Sequence, residues 1–155
     1  MKNILVTGGA GYIGSHTCLS LLEKGYQVFV MDSFINSSRN SLKKVLKVLE
    51  QKQKESLGHL HIFEGDIRDK NFIESIFDEA LRKNFKIQGV IHFAALKSVQ
   101  ESILNPILYW DNNVTGTINL LDIMQQKDCN NIVFSSSAAI YGEKQKKIVD
   151  ENVST

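Results

Sequence analysis

Short apolar runs alternate with helical patterns along this chain, and the alternation constrains its fold more than any other feature. Buried parallel strands are indicated by continuous apolar runs at residues 3–7, 27–31, 61–63, 89–93 and 131–135. Amphipathic helices are indicated by apolar residues at helical spacing over residues 13–24, 42–49, 73–81 and 105–124. The chain is therefore predicted to form an α/β fold, a doubly wound parallel sheet of the Rossmann type with strand order 3-2-1-4-5.

Several residues mark where the predicted helices begin and end. Gly25 is expected to end the first helix, and Asp69 to act as the N-cap of the third. Asn105 is expected to cap the last helix, with Pro106 in its first turn. Residues 143–155 are polar and without periodicity, which predicts a loop.

Composition and charge exclude several classes of partner. The 155 residues carry a net charge of +1, so neither nucleic acid nor an anionic membrane is an expected partner. No apolar stretch approaches the ~20 residues that span a bilayer, and no signal peptide precedes the first strand, so a cytoplasmic location is expected. Cys18 and Cys129 are too few for a disulfide framework and lack a metal-binding spacing, so reduced thiols and no metal site are expected.

The turn after the first strand contains four glycines within seven residues. Gly9, Gly11 and Gly14 fit the pattern G-x-G-x-x-G, whereas Gly8, Gly11 and Gly14 fit G-x-x-G-x-x-G. The turn directly follows a strand and directly precedes a helix, which is the context that a dinucleotide site needs. Glycines let the backbone approach a pyrophosphate, and the helix N-terminus offers free N–H groups and a positive dipole end.

Asp32 ends the second strand, 18 residues after Gly14. An acidic side chain at this place accepts hydrogen bonds from the adenosine ribose hydroxyls and repels the 2′-phosphate of NADP. The nearest following arginine, Arg39, lies several residues further on. NAD is therefore the expected cofactor.

Four stretches of the chain resemble the UDP-glucose 4-epimerases (UDP-galactose 4-epimerases), which are extended short-chain dehydrogenases. They are the glycine turn with its Ser-His-Thr sequel (7–17), the His-Phe-Ala-Ala-Leu-Lys-Ser-Val stretch with Glu-Ser (92–102), Asp-Asn-Asn-Val-Thr-Gly-Thr (111–117) and Phe-Ser-Ser-Ser-Ala-Ala-Ile-Tyr-Gly (134–142). The resemblance covers the whole chain but only the first half of the family's longer sequence. Ala139-Ile140 stands where the family often has Thr-Val.

The resemblance implies a set of cofactor residues and one catalytic residue. Pyrophosphate contacts are expected from the glycine turn, ribose contacts after the second strand, and adenine contacts after the third. The nicotinamide half is expected beside the segment after the fourth strand and one helical asparagine. Together the expected NAD site consists of Gly8, Gly9, Gly11, Tyr12, Ile13, Gly14, Asp32, Asn36, Ser37, Asp66, Ile67, Phe93, Ala94, Ala95, Leu96, Lys97 and Asn112. Ser137, after the fifth strand, is the expected catalytic serine.

The reaction that the resemblance implies is epimerisation at C4 of a UDP-hexose through a transient 4-keto sugar, with NAD as hydride carrier. The family's base is a tyrosine four residues before a lysine on one helix. The tyrosines of this chain are followed at that spacing by His16, Val30, Asn113 and Gln145. Residues 1–155 are therefore expected to be an incomplete NAD-binding domain, inactive alone, with the pair and the substrate domain beyond it. A homodimer is possible for the full-length form.

Other interpretations stay open from the sequence alone. The chain can belong to another enzyme of the same superfamily, such as a sugar-nucleotide dehydratase or a UDP-glucuronate epimerase, or it can be a non-catalytic NAD-binding module that senses redox state. His92 is interpreted as a core histidine and His16 as a packing or surface residue. Asn112 can also be a residue that hydrogen-bonds a helix to a loop, and Ser135 and Ser136 can simply satisfy backbone groups at the strand end.

Overall fold

Five parallel strands form one sheet at the centre of the fold. A computed structural model of the chain describes residues 2–51, 58–142, 150, 152 and 153, and most of the polar tail predicted as a loop lies outside them. The strands are β1 (Asn3–Thr7), β2 (Gln27–Asp32), β3 (Leu60–Glu64), β4 (Gly89–His92) and β5 (Ile132–Phe134). Their order is β3-β2-β1-β4-β5, which confirms the predicted topology.

Helices cover both faces of the sheet. They are α1 (Tyr12–Glu23), α2 (Arg39–Gln51), α3 (Lys70–Arg82), α4 (Val99–Leu104), α5 (Pro106–Trp110) and α6 (Gly116–Gln126), with a π-helical turn (Asp111–Thr115) between α5 and α6 and a 3-10 turn (Ala138–Tyr141) after β5. No described helix is both long and apolar enough to cross a membrane.

The core has two halves because neighbouring residues of a strand point to opposite faces. On one face, Leu5 and Phe29 pack with apolar residues of α3 and α6. On the other face, Val6 and Val30 pack with apolar residues of α1 and α2, among them the buried thiol Cys18. Burial raises the pKa of the Cys18 thiol to about 12, so it remains protonated and inert.

The predicted helix starts and stops are mostly confirmed. The Asp69 carboxylate accepts a hydrogen bond from the Phe72 amide at 3.0 Å, which makes it the N-cap of α3. Gly25 follows α1 with a positive φ of 79°, the backbone conformation for which a helix-ending glycine is suited. Asn105 occupies the N-cap position of α5, but its side chain makes no capping bond, so that part of the prediction is wrong.

The single helix predicted over residues 105–124 is not regular. It consists of α5, the π turn and α6 in succession, and the amide of Gly116 bonds to the carbonyl of Asp111, five residues back. The short helix α4 was not predicted because it buries none of its residues and so carries no amphipathic pattern. Both features lie beside the carboxyl ends of the strands, where the site is found.

Candidate functional site

A groove of about 290 Å³ runs along the carboxyl ends of β1, β2 and β4. This place includes the switch point between β1 and β4, where the sheet order reverses and open α/β sheets bind their ligands. All the predicted cofactor residues except Gly9 line the groove, which we call the main groove. Six further residues line the groove and were not predicted from the sequence, namely Thr7, Met31, Ser33, Ile35, Gly65 and Ser135.

Three glycines allow close backbone packing on the floor of the main groove. Gly8 has a positive φ of 67°, and a Cβ atom there would lie 2.6 Å from the amide nitrogen of Ala94. A Cβ atom on Gly14 would overlap the carbonyl oxygen of Gly8. Because Gly11 caps α1 without a side chain, the first amides of the helix are open to an anion.

Gly9 is not among the residues that line the main groove, and its role in cofactor binding stays a prediction. A Cβ atom on Gly9 would lie 2.8 Å from the side chain of Val30 and 3.3 Å from the sulfur of Cys18. Gly9 therefore allows α1 to pack closely on β2. Of the two glycine patterns, the structure selects Gly8, Gly11 and Gly14 as the groove-lining set.

The Asp32 carboxylate organises the loop after β2. One oxygen accepts from the amide of Ala10 at 2.9 Å. The other accepts from the amide of Phe34 at 2.9 Å and from the hydroxyl of Ser37 at 2.7 Å. A carboxylate offers about four acceptor positions, so one position remains for a ligand hydroxyl at the groove.

Arg39, the nearest arginine after Asp32, is engaged elsewhere. Its guanidinium forms an ion pair with Glu64 at the end of β3 and lies 4.5 Å from the centre of the Phe34 ring. Its positive charge is therefore partly compensated by Glu64.

Asp66 is held in place by an arginine that the sequence analysis missed. The Arg68 guanidinium donates to Asp66 at 2.6 Å and to Asp111 at 3.3 Å, and it holds the pKa of Asp66 below its usual value. The carbonyl of Arg68 in turn accepts from the side chain of Asn119 at 2.9 Å. These bonds fasten the segment after β3 to the helix that carries the π turn.

The π turn places two asparagines beside the groove, and their side chains make different hydrogen bonds. Asn112 lines the main groove and donates to the side-chain oxygen of Asn113 at 2.9 Å. Asn113 binds both backbone groups of Leu96, accepting from its amide and donating to its carbonyl, each at 2.9 Å. The helix-to-loop role considered for Asn112 therefore falls to Asn113, which the sequence analysis did not single out.

His92 is a core histidine, as interpreted from the sequence. It is 3% exposed, and its Nδ1 and Nε2 lie 2.6 Å from the Thr7 hydroxyl and 3.0 Å from the Thr117 hydroxyl. The Thr117 hydroxyl donates to the carbonyl of Asn113 at 2.6 Å, so it can only accept from His92. His92 is thereby fixed as the neutral Nε2–H tautomer, and burial followed by the charge of Lys97 lowers its pKa to about 4.

A second cavity of about 370 Å³, which we call the side groove, adjoins the main groove. The two share Ser135 and the segment 93–97. Ser136, Ser137 and Tyr109 line only the side groove. Ser137 is exposed, and its hydroxyl accepts from the amide of Ala139 at 3.3 Å, which starts the 3-10 turn. The predicted catalytic serine therefore lies next to the main groove and not within it.

A family model matches almost the whole chain. The family model described as GDP-mannose 4,6 dehydratase matches residues 5–155. The chain belongs to this family.

Its curated relatives confirm the resemblance to UDP-glucose 4-epimerases. UDP-glucose 4-epimerase 2 of Arabidopsis thaliana is 50% identical over 141 residues, which are 91% of this chain and 38% of that protein. UDP-glucose 4-epimerase of Yersinia enterocolitica is 48% identical over 143 residues, which are 92% of this chain and 39% of that protein. The chain therefore spans about two fifths of the length of these relatives.

Solved structures confirm the Rossmann-type fold. The UDP-glucose-4-epimerase of Stenotrophomonas maltophila, with bound NAD and formylated UDP-arabinopyranose, aligns with a TM-score of 0.83 at 39% identity, covering 100% of this chain and 43% of that one. The enzyme of Bifidobacterium longum, in complex with NAD+ and UDP, aligns with a TM-score of 0.82 at 38% identity, covering 99% and 42%. The dinucleotide is thus a ligand of proteins that share this fold and sequence family.

Proposed function

We propose that this chain supplies the NAD-binding part of an enzyme that epimerises C4 of a UDP-hexose and interconverts UDP-glucose and UDP-galactose. The observation that carries the proposal is the main groove, in which the glycine turn, Asp32 and the segment 93–97 meet at one edge of the sheet. Similar structures named UDP-glucose 4-epimerase were solved with NAD bound, which supports this choice.

The residues of the main groove fit a dinucleotide in charge and in shape. Without side chains, Gly8 packs closely against the backbone of Ala94 and Gly14 packs closely against that of Gly8. This close packing would let a pyrophosphate approach the first amides of α1. Asp32 and Ser37 would hold the adenosine ribose, and Asp66 with its neighbour Ile67 would flank the adenine. At the other end, Lys97 and Asn112 would face the nicotinamide ribose.

The same residues favour NAD over NADP. Asp32 is 5% exposed and already accepts three hydrogen bonds, so it cannot turn away from a 2′-phosphate. The Arg39 guanidinium, which could offset that charge, is paired with Glu64. A second negative charge at the ribose would therefore meet an uncompensated carboxylate.

The side groove would take the sugar. Bound NAD supplies the hydride acceptor and donor for C4. Ser137 would pass the proton of the 4-hydroxyl, but an ordinary hydroxyl is too weakly basic to remove it near neutral pH. Within the described residues no tyrosine has a lysine four positions later on a helix, so we propose that the base comes from outside these residues.

A dehydratase is the second candidate because the matching family model carries that description. Elimination of water needs a group that removes a proton and an acid that protonates the leaving hydroxyl. Among the residues that the structure describes, the side groove is lined by no aspartate or glutamate. This lining favours epimerisation.

A chimaera tests the proposed function. The chain is joined to the remaining carboxyl-terminal part of the Arabidopsis relative, and UDP-galactose is supplied with NAD. We expect UDP-glucose from the chimaera and no turnover from the 155-residue chain alone, since a positioned base contributes ~10²–10⁴ in rate and orientation of the sugar roughly 7–11 kcal/mol.

The product and two serine variants decide the outcome. Ser137→Ala is expected to lower kcat of the chimaera by about 10² or more. Ser75→Ala, which removes an exposed hydroxyl on α3 outside both grooves, serves as the matched control. A 4-keto-6-deoxy product would establish the dehydratase instead. Turnover by the short chain at the rate of the chimaera, abolished by Tyr141→Phe, would show that the base has been misplaced.

A further inference from the structure

The hydroxyl of Tyr109 joins two helices beside the side groove. It donates to the Glu101 carboxylate at 2.7 Å and accepts from the amide of Ser98 at 3.1 Å. The Tyr109 side chain is 9% exposed, and burial followed by the bond to Glu101 raises its pKa above the usual value. The hydroxyl therefore keeps its proton and can serve as donor and acceptor together.

Ser98 and Glu101 have the spacing of a capping box at the start of α4. The Ser98 hydroxyl accepts from the amide of Glu101 at 3.3 Å, which is one half of that motif. In the usual second half, the glutamate side chain accepts directly from the N-cap amide. Here the Tyr109 hydroxyl stands between the two partners, so the start of α4 is fixed to α5.

Lys97 lies between two residues whose backbones are held by side chains. Leu96 is bound through its amide and its carbonyl by Asn113, and the amide of Ser98 is bound by Tyr109. Lys97 itself is exposed and lines both the main groove and the side groove. Its backbone is therefore fixed on both sides, which limits where its flexible four-carbon side chain can reach.

We propose that Tyr109 and Glu101 are positioning residues that hold Lys97 at the junction of the two grooves, where its ammonium group meets the nicotinamide-ribose half of NAD. The inference rests on the proposed NAD site. It goes beyond that site because neither Tyr109 nor Glu101 lines the main groove. Both hold the backbone of Ser98, and through it they fix the position of Lys97.

A double-mutant cycle on the 155-residue chain tests the coupling. Dissociation constants for NAD and for ADP are measured by calorimetry with the unaltered chain, Tyr109→Phe, Lys97→Met and the double variant. Tyr109→Phe is expected to weaken NAD binding about five-fold, and to add nothing once Lys97 is already replaced, because residues coupled through a shared backbone segment act non-additively. ADP lacks the nicotinamide ribose, so its affinity is expected to stay unchanged.

Further variants separate positioning from loss of fold. Glu101→Ala is expected to reproduce the loss, whereas Glu101→Gln retains an oxygen that accepts from Tyr109 and is expected to restore most of the affinity. Tyr26→Phe removes the same hydroxyl type at the opposite end of the sheet and is the matched control. Thermal unfolding followed by circular dichroism verifies that each variant is folded.

The outcomes distinguish this inference from the proposed function. Three results would overturn the positioning role while the NAD site stands. They are equal weakening of NAD binding and ADP binding, an effect of Tyr109→Phe that is additive with that of Lys97→Met, and no effect of Tyr109→Phe on NAD binding. If the unaltered chain binds neither NAD nor ADP, the proposed site itself is wrong and the positioning role is wrong with it.

Discussion

The buried imidazole of His92 makes the stability of the fold depend on pH. Its pKa is about 4 in the folded chain against 6.5 for an ordinary histidine. Below pH 6.5 the unfolded chain binds a proton that the folded chain refuses, so the free energy of unfolding falls as the pH drops toward 4. The contribution is fully present above pH 6.5.

The size of the effect follows from the two pKa values. A difference of one unit corresponds to 1.36 kcal/mol, so the full contribution of His92 is about 3 kcal/mol. Between pH 7 and pH 5 the linkage relation gives a loss of about 2 kcal/mol. The structural cause is that protonated Nδ1 would become a donor toward Thr7, whose hydroxyl now donates to it, in a site already close to Lys97.

Urea denaturation of the chain and of His92→Asn at pH 7 and pH 5 measures the contribution of His92 to the free energy of unfolding. The unaltered chain is expected to lose about 2 kcal/mol more than the variant. Carboxylates such as Asp66, whose pKa is lowered by Arg68, also make the fold less stable in acid. Their effect is the same in both proteins, so it cancels when the two losses of free energy are compared. Long-range proton–nitrogen spectra report the tautomer directly. A His92 pKa near 6.5, or equal pH dependence in the two proteins, would refute the reasoning.

Two further substitutions probe the main groove. Asp32→Asn is expected to weaken NAD binding about ten-fold, as for loss of a charge-assisted hydrogen bond, and to reduce the preference for NAD over NADP. Asp128→Asn is the remote control. Tighter binding of NADP than of NAD by the unaltered chain, measured by calorimetric titration, would exclude the role of Asp32 in selecting NAD. Gly14→Ala is expected to abolish NAD binding and to destabilise the fold by about 1–3 kcal/mol because its Cβ would overlap the Gly8 carbonyl. In the control Gly89→Ala, the nearest atoms lie 3.4 Å away, and equal losses in the two variants would count against the steric explanation.

The sheet and most of the main groove were predictable because they depend on local patterns. Apolar runs of strand length, helical spacing and a glycine turn between a strand and a helix are all read from neighbouring residues. Each polar residue predicted for the site follows the end of a strand or belongs to the helix after β4. Two glycine patterns overlap in the turn, and the sequence alone could not show that Gly9 packs against Val30 while Gly8 lines the groove.

Most of the bonds that hold the site join distant parts of the chain, so the sequence could not reveal the residues that make them. Asn113 binds a residue 17 positions away, Arg68 one 43 positions away, and Thr7 one 85 positions away. No periodicity reports such a pairing. The π turn was missed for a similar reason, since its sequence continues the apolar spacing of the helices on either side.

The π turn also determines which changes of chain length this helix can accept. A regular α-helix would form if one residue were lost between Asp111 and Thr115, and the local backbone hydrogen bonds would improve. The same loss would rotate α5 against α6 by about 100° and carry Tyr109 away from Ser98, with Asn112 and Asn113 displaced from the groove. The segment thus keeps a wider turn than an isolated helix would form, and its register is fixed by the bonds of Asn113 to Leu96 and by the place of Asn112 in the main groove.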